Sequence, residues 1–257
     1  MNPKEQWIAF LTILRKEVKR WLRIWTQTLL PSAITMSLYF VIFGSLIGSR
    51  IGEMGGFSYM QFVVPGLIMM AIINNAYSNV VSSFYGAKFS HAVEELLVSP
   101  TPSYVILLGY VLGGVARGIA VAIIVTLVSL AFTRLQVHSW GVVISIVLLT
   151  SMLFSLAGFI NAVYANSFDD VSIIPTFVLT PLIYLGGVFY SMELLPQFWA
   201  NVSRLNPLVY VVNAFRYGVL GVSDVSLPFA LGMIALFTLA AFIFCLHLLE
   251  RGTRLRQ

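Results

Sequence analysis

The chain has 257 residues, 59% of them hydrophobic and 10% charged, whereas a soluble domain carries about 25% charged residues. With a mean hydropathy of +0.91 there are too few polar side chains to clothe a water-facing surface, which excludes an ordinary soluble protein and points to a polytopic membrane protein. Lys+Arg 15 against Asp+Glu 10 does not indicate nucleic acid, because the cations sit at the chain ends and in short connections and form no stripe interleaved with aromatic residues.

The chain opens with an amphipathic segment over residues 3–24. Trp7, Ile8, Phe10, Leu11, Leu14, Val18, Trp21 and Leu22 recur at helical intervals, with Arg15, Lys16, Lys19, Arg20 and Arg23 between them, which predicts a helix lying in the membrane interface. The apolar stretch that follows is too long for the core of a signal peptide, so an uncleaved first span is expected. A bilayer core about 30 Å thick takes roughly 20 apolar residues as a helix. Uncharged stretches of that order run over 28–49, 57–87, 101–133 (interrupted by Arg117), 139–168, 171–192 and 225–249. Residues 205–222 compete for a seventh span but hold Asn206-Pro207, Asn213 and Arg216, and follow a broken stretch at 194–203.

Charge decides between the two counts. With six spans one side collects Lys4, Arg15, Lys16, Lys19, Arg20, Arg23, Lys88, Arg251, Arg254 and Arg256, and the other only Arg50, Arg134, Arg204 and Arg216. The positive-inside rule then places both termini in the cytoplasm, whereas a seventh crossing would export the basic tail. Residues 194–222 become an outer re-entrant helical hairpin broken at Pro196 and Pro207. No internal repeat and no long linker divides the sequence, so a single domain is expected over 1–257.

The inventory of chemistry is short. No Gly-x-x-x-x-Gly-Lys-Ser/Thr surrounds a lysine, so the chain is not expected to hydrolyse ATP itself. Cys245 is the one cysteine, which rules out an intrachain disulfide, and His91, His138 and His247 lie in separate segments, so no metal site and no catalytic residues are expected. Arg117 is the one ionisable residue deep in a span and cannot release a proton at accessible pH, which argues against a proton-coupled carrier. Beside Gly113, Gly114 and Gly118, it reads as a structural intramembrane charge, pairing with Asp169 or Asp170, or as a substrate contact.

The connection over 86–100 is amphipathic. Projected as one helix, Phe89, Val93, Leu96 and Leu97 share a face, with Lys88, His91, Glu94 and Glu95 opposite. Two readings stay open: a cap lying flat on the membrane, or a docking surface for a cytoplasmic partner, whose mixed charge simple adhesion would not require.

The run Glu94-Glu95-Leu-Leu-Val-Ser-Pro, with Tyr184-Leu-Gly-Gly-Val-Phe-Tyr-Ser-Met, Leu195-Pro-Gln-Phe-Trp, Leu205-Asn-Pro-Leu and Phe215-Arg-Tyr-Gly, resembles the ABC-2 type transport permeases over essentially the whole chain. The resemblance is nearest to small Gram-negative inner-membrane permeases encoded apart from their ATPase. It implies an all-α polytopic membrane protein of six transmembrane helices in the bacterial inner membrane. Its function would be that of the membrane subunit of an ATP-binding cassette exporter, pairing with a second copy of itself and with two copies of a cytoplasmic ABC ATPase that binds ATP and Mg. The segment 86–100 matches the family's coupling helix, with Glu94 and Glu95 in its acidic position. Phe168, Asp169 and Asp170 would lie near the same partner, unless they simply solvate a tight turn. Substrate would pass between the two copies, where Asn74, Asn75, Ser78, Asn79 and Asn161 are candidate pathway residues and, equally, ordinary helix-to-helix hydrogen bonders. Tyr184, Phe189 and Tyr190, with Phe198 and Trp199, are candidates for an outer gate or an interfacial aromatic belt. A carrier or channel needing no nucleotide is the alternative from another class.

Overall fold

Lipid offers no partner to a free backbone amide, so apolar stretches of this length close their hydrogen bonds within helices. The computed structural model describes residues 1–252 and follows that rule; Arg254 and Arg256 of the sequence-predicted basic tail lie outside the described residues. Helix α1, Pro3–Arg23, starts where the Asn2 amide donates to the Glu5 carboxylate at 2.8 Å, and its buried residues are Ile13, Glu17 and Trp21. Trp7, Ile8 and Leu22 are exposed, so its two apolar faces look to the bundle and to lipid.

α1 lies against glycines. A Cβ added at Gly109 or Gly113 would stand 2.5 Å from Ile13 or from Glu17, and no larger residue permits so close a helix pair. The chain then bends into α2 (Trp25–Thr28), α3 (Leu30–Phe40), a widened π-type stretch at Val41–Ile47 and α4 (Gly48–Ile51). Together these make one apolar rod, Trp25–Ile51. A ribbon of β1 (Glu53–Met54) and β2 (Phe57–Ser58) turns at Gly55 and Gly56, whose φ values of +61° and +79° suit a two-residue hairpin and are disfavoured for residues with a side chain.

Ser58 caps the central helix α5, Tyr59–Phe89. Its 31 residues extend about 46 Å, well beyond a hydrocarbon core, and most of its side chains are buried against α7 (Ser103–Leu130), α8 (Trp140–Tyr164) and α12 (Pro207–Leu220). A short helix α6, Ala92–Val98, follows it, and Pro102 opens α7. Beyond α8 come α9 (Phe168–Ile174), a second widened stretch at Pro175–Leu179 and α10 (Thr180–Tyr184); α11 (Gln197–Arg204) precedes α12, and α13 is Leu227–Arg251.

Among the described residues five helices are long and apolar enough to cross a membrane: Trp25–Ile51, Tyr59–Phe89, Ser103–Leu130, Trp140–Tyr164 and Leu227–Arg251. The expected spans 139–168 and 171–192 have different bounds. The fourth ends at Tyr164, and the next helix begins at Phe168 because Ser167 and Asp170 form a reciprocal cap there. That helix stops at Tyr184, ahead of a turn, so it is shorter than the apolar run suggests. The segment 168–189 as a whole still reaches from one end of α5 to the other. Phe168 packs 5.1 Å from Phe89 at one end, and the Tyr59 hydroxyl donates to the Phe189 carbonyl at 3.1 Å at the other.

Candidate functional site: the turn after α5, its open stripe and the family

The segment 86–100 is two pieces rather than one helix. α5 continues to Phe89, and the backbone breaks at Ser90 and His91, where His91 has φ +60°. The break resets the helical phase, so two of the predicted faces are corrected. Lys88 does not belong to a polar docking face: it is 6% exposed and donates to the Val163 carbonyl at 2.7 Å and the Ala165 carbonyl at 2.8 Å. It therefore neutralises the carbonyl end of α8 and fastens α5 to it. Phe89 does not brace the membrane face either: it is 64% exposed and stacks beside Phe168 and Tyr85.

Within α6 the projection agrees with the packing. Val93 is buried, Leu96 and Leu97 lie half-buried on the core, and Glu95 is open to solvent. Glu94 meets His91 Nδ1 at 3.0 Å. Beside this turn, the Asp170 carboxylate accepts the Asn166 amide at 2.9 Å and the Ser167 amide at 3.3 Å, and these bonds, the Asn166 one first, hold it below the usual carboxylate range. Asp170 is thus the cap of α9, while Asp169 and Phe168 are exposed. The open surface at this end joins Phe89, His91, Glu95, Val98, Phe168 and Asp169.

Along α5 the positions Met70, Asn74, Ser78 and Gly86 are half-buried and Ser82 exposed, whereas nearly all between them are buried. Their spacing of four makes one open stripe on an otherwise enclosed helix. Asn74 turns its amide back to the Met70 carbonyl at 3.0 Å. Asn75 donates to Ser32 Oγ at 3.0 Å and accepts from Arg117 Nη2 at 2.9 Å. Arg117 also reaches the Thr28 carbonyl at 3.4 Å. The arginine accordingly ties α7 to α5 and α2, and not to Asp169 or Asp170: Asp169 is exposed, and Asp170 caps α9. Asn161 donates to the Tyr77 hydroxyl at 2.7 Å and to the Val171 carbonyl at 3.1 Å, linking α8, α5 and α9.

At the opposite end, the Tyr184 and Tyr39 hydroxyls lie 3.3 Å apart, Phe189 stacks 5.7 Å from Tyr184, and Phe43 lies 4.7 Å from Phe189. Tyr190 follows, half-buried. Phe198 and Trp199 stand apart on α11, exposed and edge to face at 5.3 Å.

Two polar clusters escape the sequence argument. Glu17 is wholly buried between α1 and α7; Arg20 Nε approaches it at 3.4 Å, and Arg20 Nη2 donates to Asn79 Oδ1 at 2.9 Å and to the Asn79 carbonyl at 2.8 Å. The signal present was the spacing Ile13, Glu17, Trp21, a carboxylate in step with two apolar residues. On α12, Arg216 is 1% exposed. It donates to the Gly187 carbonyl at 2.7 Å and lies 3.8 Å over the Phe62 ring. Asp224 accepts the Ser191 hydroxyl at 3.1 Å and the Met192 amide at 2.9 Å, so the broken segment after α10 is pinned to α12 and to the turn that follows it.

Residues 8–220 match the family described as ABC-2 type transporter. The inner membrane transport permease YadH of Escherichia coli strain K12 is 59% identical over 251 residues, covering 98% of each chain. Nodulation protein J of Neorhizobium galegae is 23% identical over 248 residues, 95% of this chain and 93% of its own, and that of Rhizobium meliloti 21% over 246. With the family match over residues 8–220 and a transport permease 59% identical across 98% of both chains, the chain belongs to the ABC-2 type transporter family as a membrane permease.

Proposed function

We propose that this chain is the transmembrane subunit of an ATP-driven exporter of the bacterial inner membrane, working as a pair of identical copies. Two copies of a separate cytoplasmic ABC ATPase bind ATP and Mg and supply the work. In this reading the chain crosses six times with both termini cytoplasmic, the helix from Phe168 to Tyr184 being the fifth crossing, and residues 194–222 dip into the membrane from the outer side. The E. coli relative, named an inner membrane transport permease, supports the location.

The observation that carries the reading is the turn at the end of α5. α6 is held on the core by Val93 and by half-buried Leu96 and Leu97, and Lys88 bolts the adjoining end of α5 to α8. A push delivered to α6 therefore moves α5 and α8 as a rigid body rather than bending a loop. Exposed Glu95, Val98, Phe89 and Phe168 offer the ATPase an acidic and aromatic surface, and the stripe of Asn74, Ser78 and Ser82 faces the partner copy, where cargo passes. The aromatic group of Tyr184, Phe189 and Tyr39 closes the outer end.

The variants Glu95→Cys and Val98→Cys, made beside the buried Cys245, test the orientation. A membrane-impermeant thiol reagent is expected to label them in inverted vesicles and not from outside intact cells; labelling from outside sinks the reading. Co-purification with an ATPase whose turnover rises on association is the second expected result, and vectorial transport by the purified chain without nucleotide would replace this reading with a free-standing carrier.

A further inference from the structure

The second half of α1 carries Lys16, Lys19, Arg20 and Arg23, which with Leu22 line an open recess of about 760 Å³. Four cations at this spacing repel one another unless an anion lies between them. The one carboxylate of the stretch, Glu17, answers only two of them: buried against Gly113 on the side facing α7, it lies 3.4 Å from Arg20 Nε and 4.0 Å from Lys16 Nζ. Among the described residues no carboxylate forms an ion pair with Lys19 or Arg23.

Depth in the membrane identifies what fits. The recess ends just ahead of Trp25, the first residue of an apolar rod long enough to cross, so it sits at headgroup level. Leu22 and Trp25 stand exposed beside it, an aliphatic and an interfacial aromatic surface suited to the top of an acyl chain. Arg20 Nη1 approaches the Ser82 hydroxyl at 3.5 Å, which brings a further polar group of α5 to the rim. A soluble phosphate would match the charges and make no use of Leu22 or Trp25.

We propose that this recess is a binding site for the phosphodiester headgroup of an anionic membrane phospholipid, with Lys19 and Arg23 as its principal contacts. Basic recesses beside transmembrane helices recognise such headgroups through charge and through the fork of arginine. Because Arg20 also holds Asn79, the headgroup and α5 share one side chain, and the lipid fixes the position of α1 on the bundle.

The full chain is reconstituted in phosphatidylcholine nanodiscs containing increasing cardiolipin, and retained cardiolipin is counted by native mass spectrometry. Lys19→Gln with Arg23→Gln is expected to weaken retention about 25-fold, roughly fivefold for each charge removed. Lys4→Gln with Arg15→Gln removes the same charge elsewhere on α1 and is expected to leave retention unchanged. Equal loss in both double variants would mean diffuse adhesion and overturns the site, as does undiminished retention in the first. Displacement by millimolar inorganic pyrophosphate would assign the recess to a soluble anion and overturns the lipid. Independently of any variant, a photoactivatable phosphatidylglycerol is expected to crosslink the native chain within 16–25, and crosslinking only elsewhere is a refutation.

Discussion

A buried ammonium is stable only where acceptors surround it, and Lys88 has two carbonyls at the end of α8. Lys88→Met keeps much of the stem and removes the donor, leaving those carbonyls without it. It is expected to cost about 2–3 kcal/mol in thermal unfolding and to uncouple ATPase stimulation even though α6 itself is untouched. His91 makes a complementary case. Its φ of +60° is one that glycine adopts freely, and the exposed pair with Glu94 contributes little. His91→Gly should therefore be neutral or slightly stabilising, while β-branched His91→Val costs about 1–2 kcal/mol, a contrast read from denaturation midpoints. At this scale the sequence was legible wherever one periodicity held. Val93, Glu95, Leu96 and Leu97 fall where the projection puts them; Lys88 and Phe89 do not, because nothing in the residue types reveals that the helix breaks between them and His91. Glu17 was hidden for a different reason: a carboxylate among lysines reads as solvated until a glycine on another helix turns out to cover it.

At the scale of helices, close approach depends on what the facing residue lacks. Gly113 lies under Glu17, and a side chain there would collide with the Glu17 Cβ. Gly113→Val is expected to lift α1 from α7, costing about 1–3 kcal/mol by overpacking and opening α1 to limited proteolysis. Gly86, with nothing within 4 Å of an added Cβ, is the control: Gly86→Ala should leave α1 protected and gain about 0.5–1 kcal/mol of helix stability. Long apolar helices are the most legible feature of this chain, since hydropathy alone marks α5, α7, α8 and α13. The helix from Phe168 to Tyr184 is less so, because its apolar run continues past the point where Gly186 and Gly187 turn the backbone, and its start is set by the cap of Ser167 and Asp170 rather than by hydropathy.

For the whole molecule, the half-open stripe on α5 is a surface of the central helix that its own bundle leaves uncovered, and the proposed pairing puts it between the two copies. Cys245 is buried, with its thiol directed at the Leu156 carbonyl, so the native chain provides a quiet background for thiol labelling. Ser78→Cys and Ser82→Cys are expected to react with maleimide in the isolated chain and to be protected in the assembled pair, whereas buried Ser83→Cys reacts in neither; unchanged labelling of Ser78→Cys on assembly would remove this stripe from the interface. The residue types of the stripe were readable from sequence, but Asn75 and Asn161 turned inward to Arg117 and Tyr77, since helical rotation cannot be set by polarity where every neighbour is apolar.

The two widened stretches, Val41–Ile47 and Pro175–Leu179, lie on the rods that bring Phe43 and Tyr184 to Phe189. Each accommodates one surplus residue within an otherwise ordinary coil. Such a surplus turns every side chain beyond it by about 100° relative to an unbroken α-helix, so the phase of each rod, and with it the facing of Phe43 and Tyr184 toward Phe189, depends on that one residue.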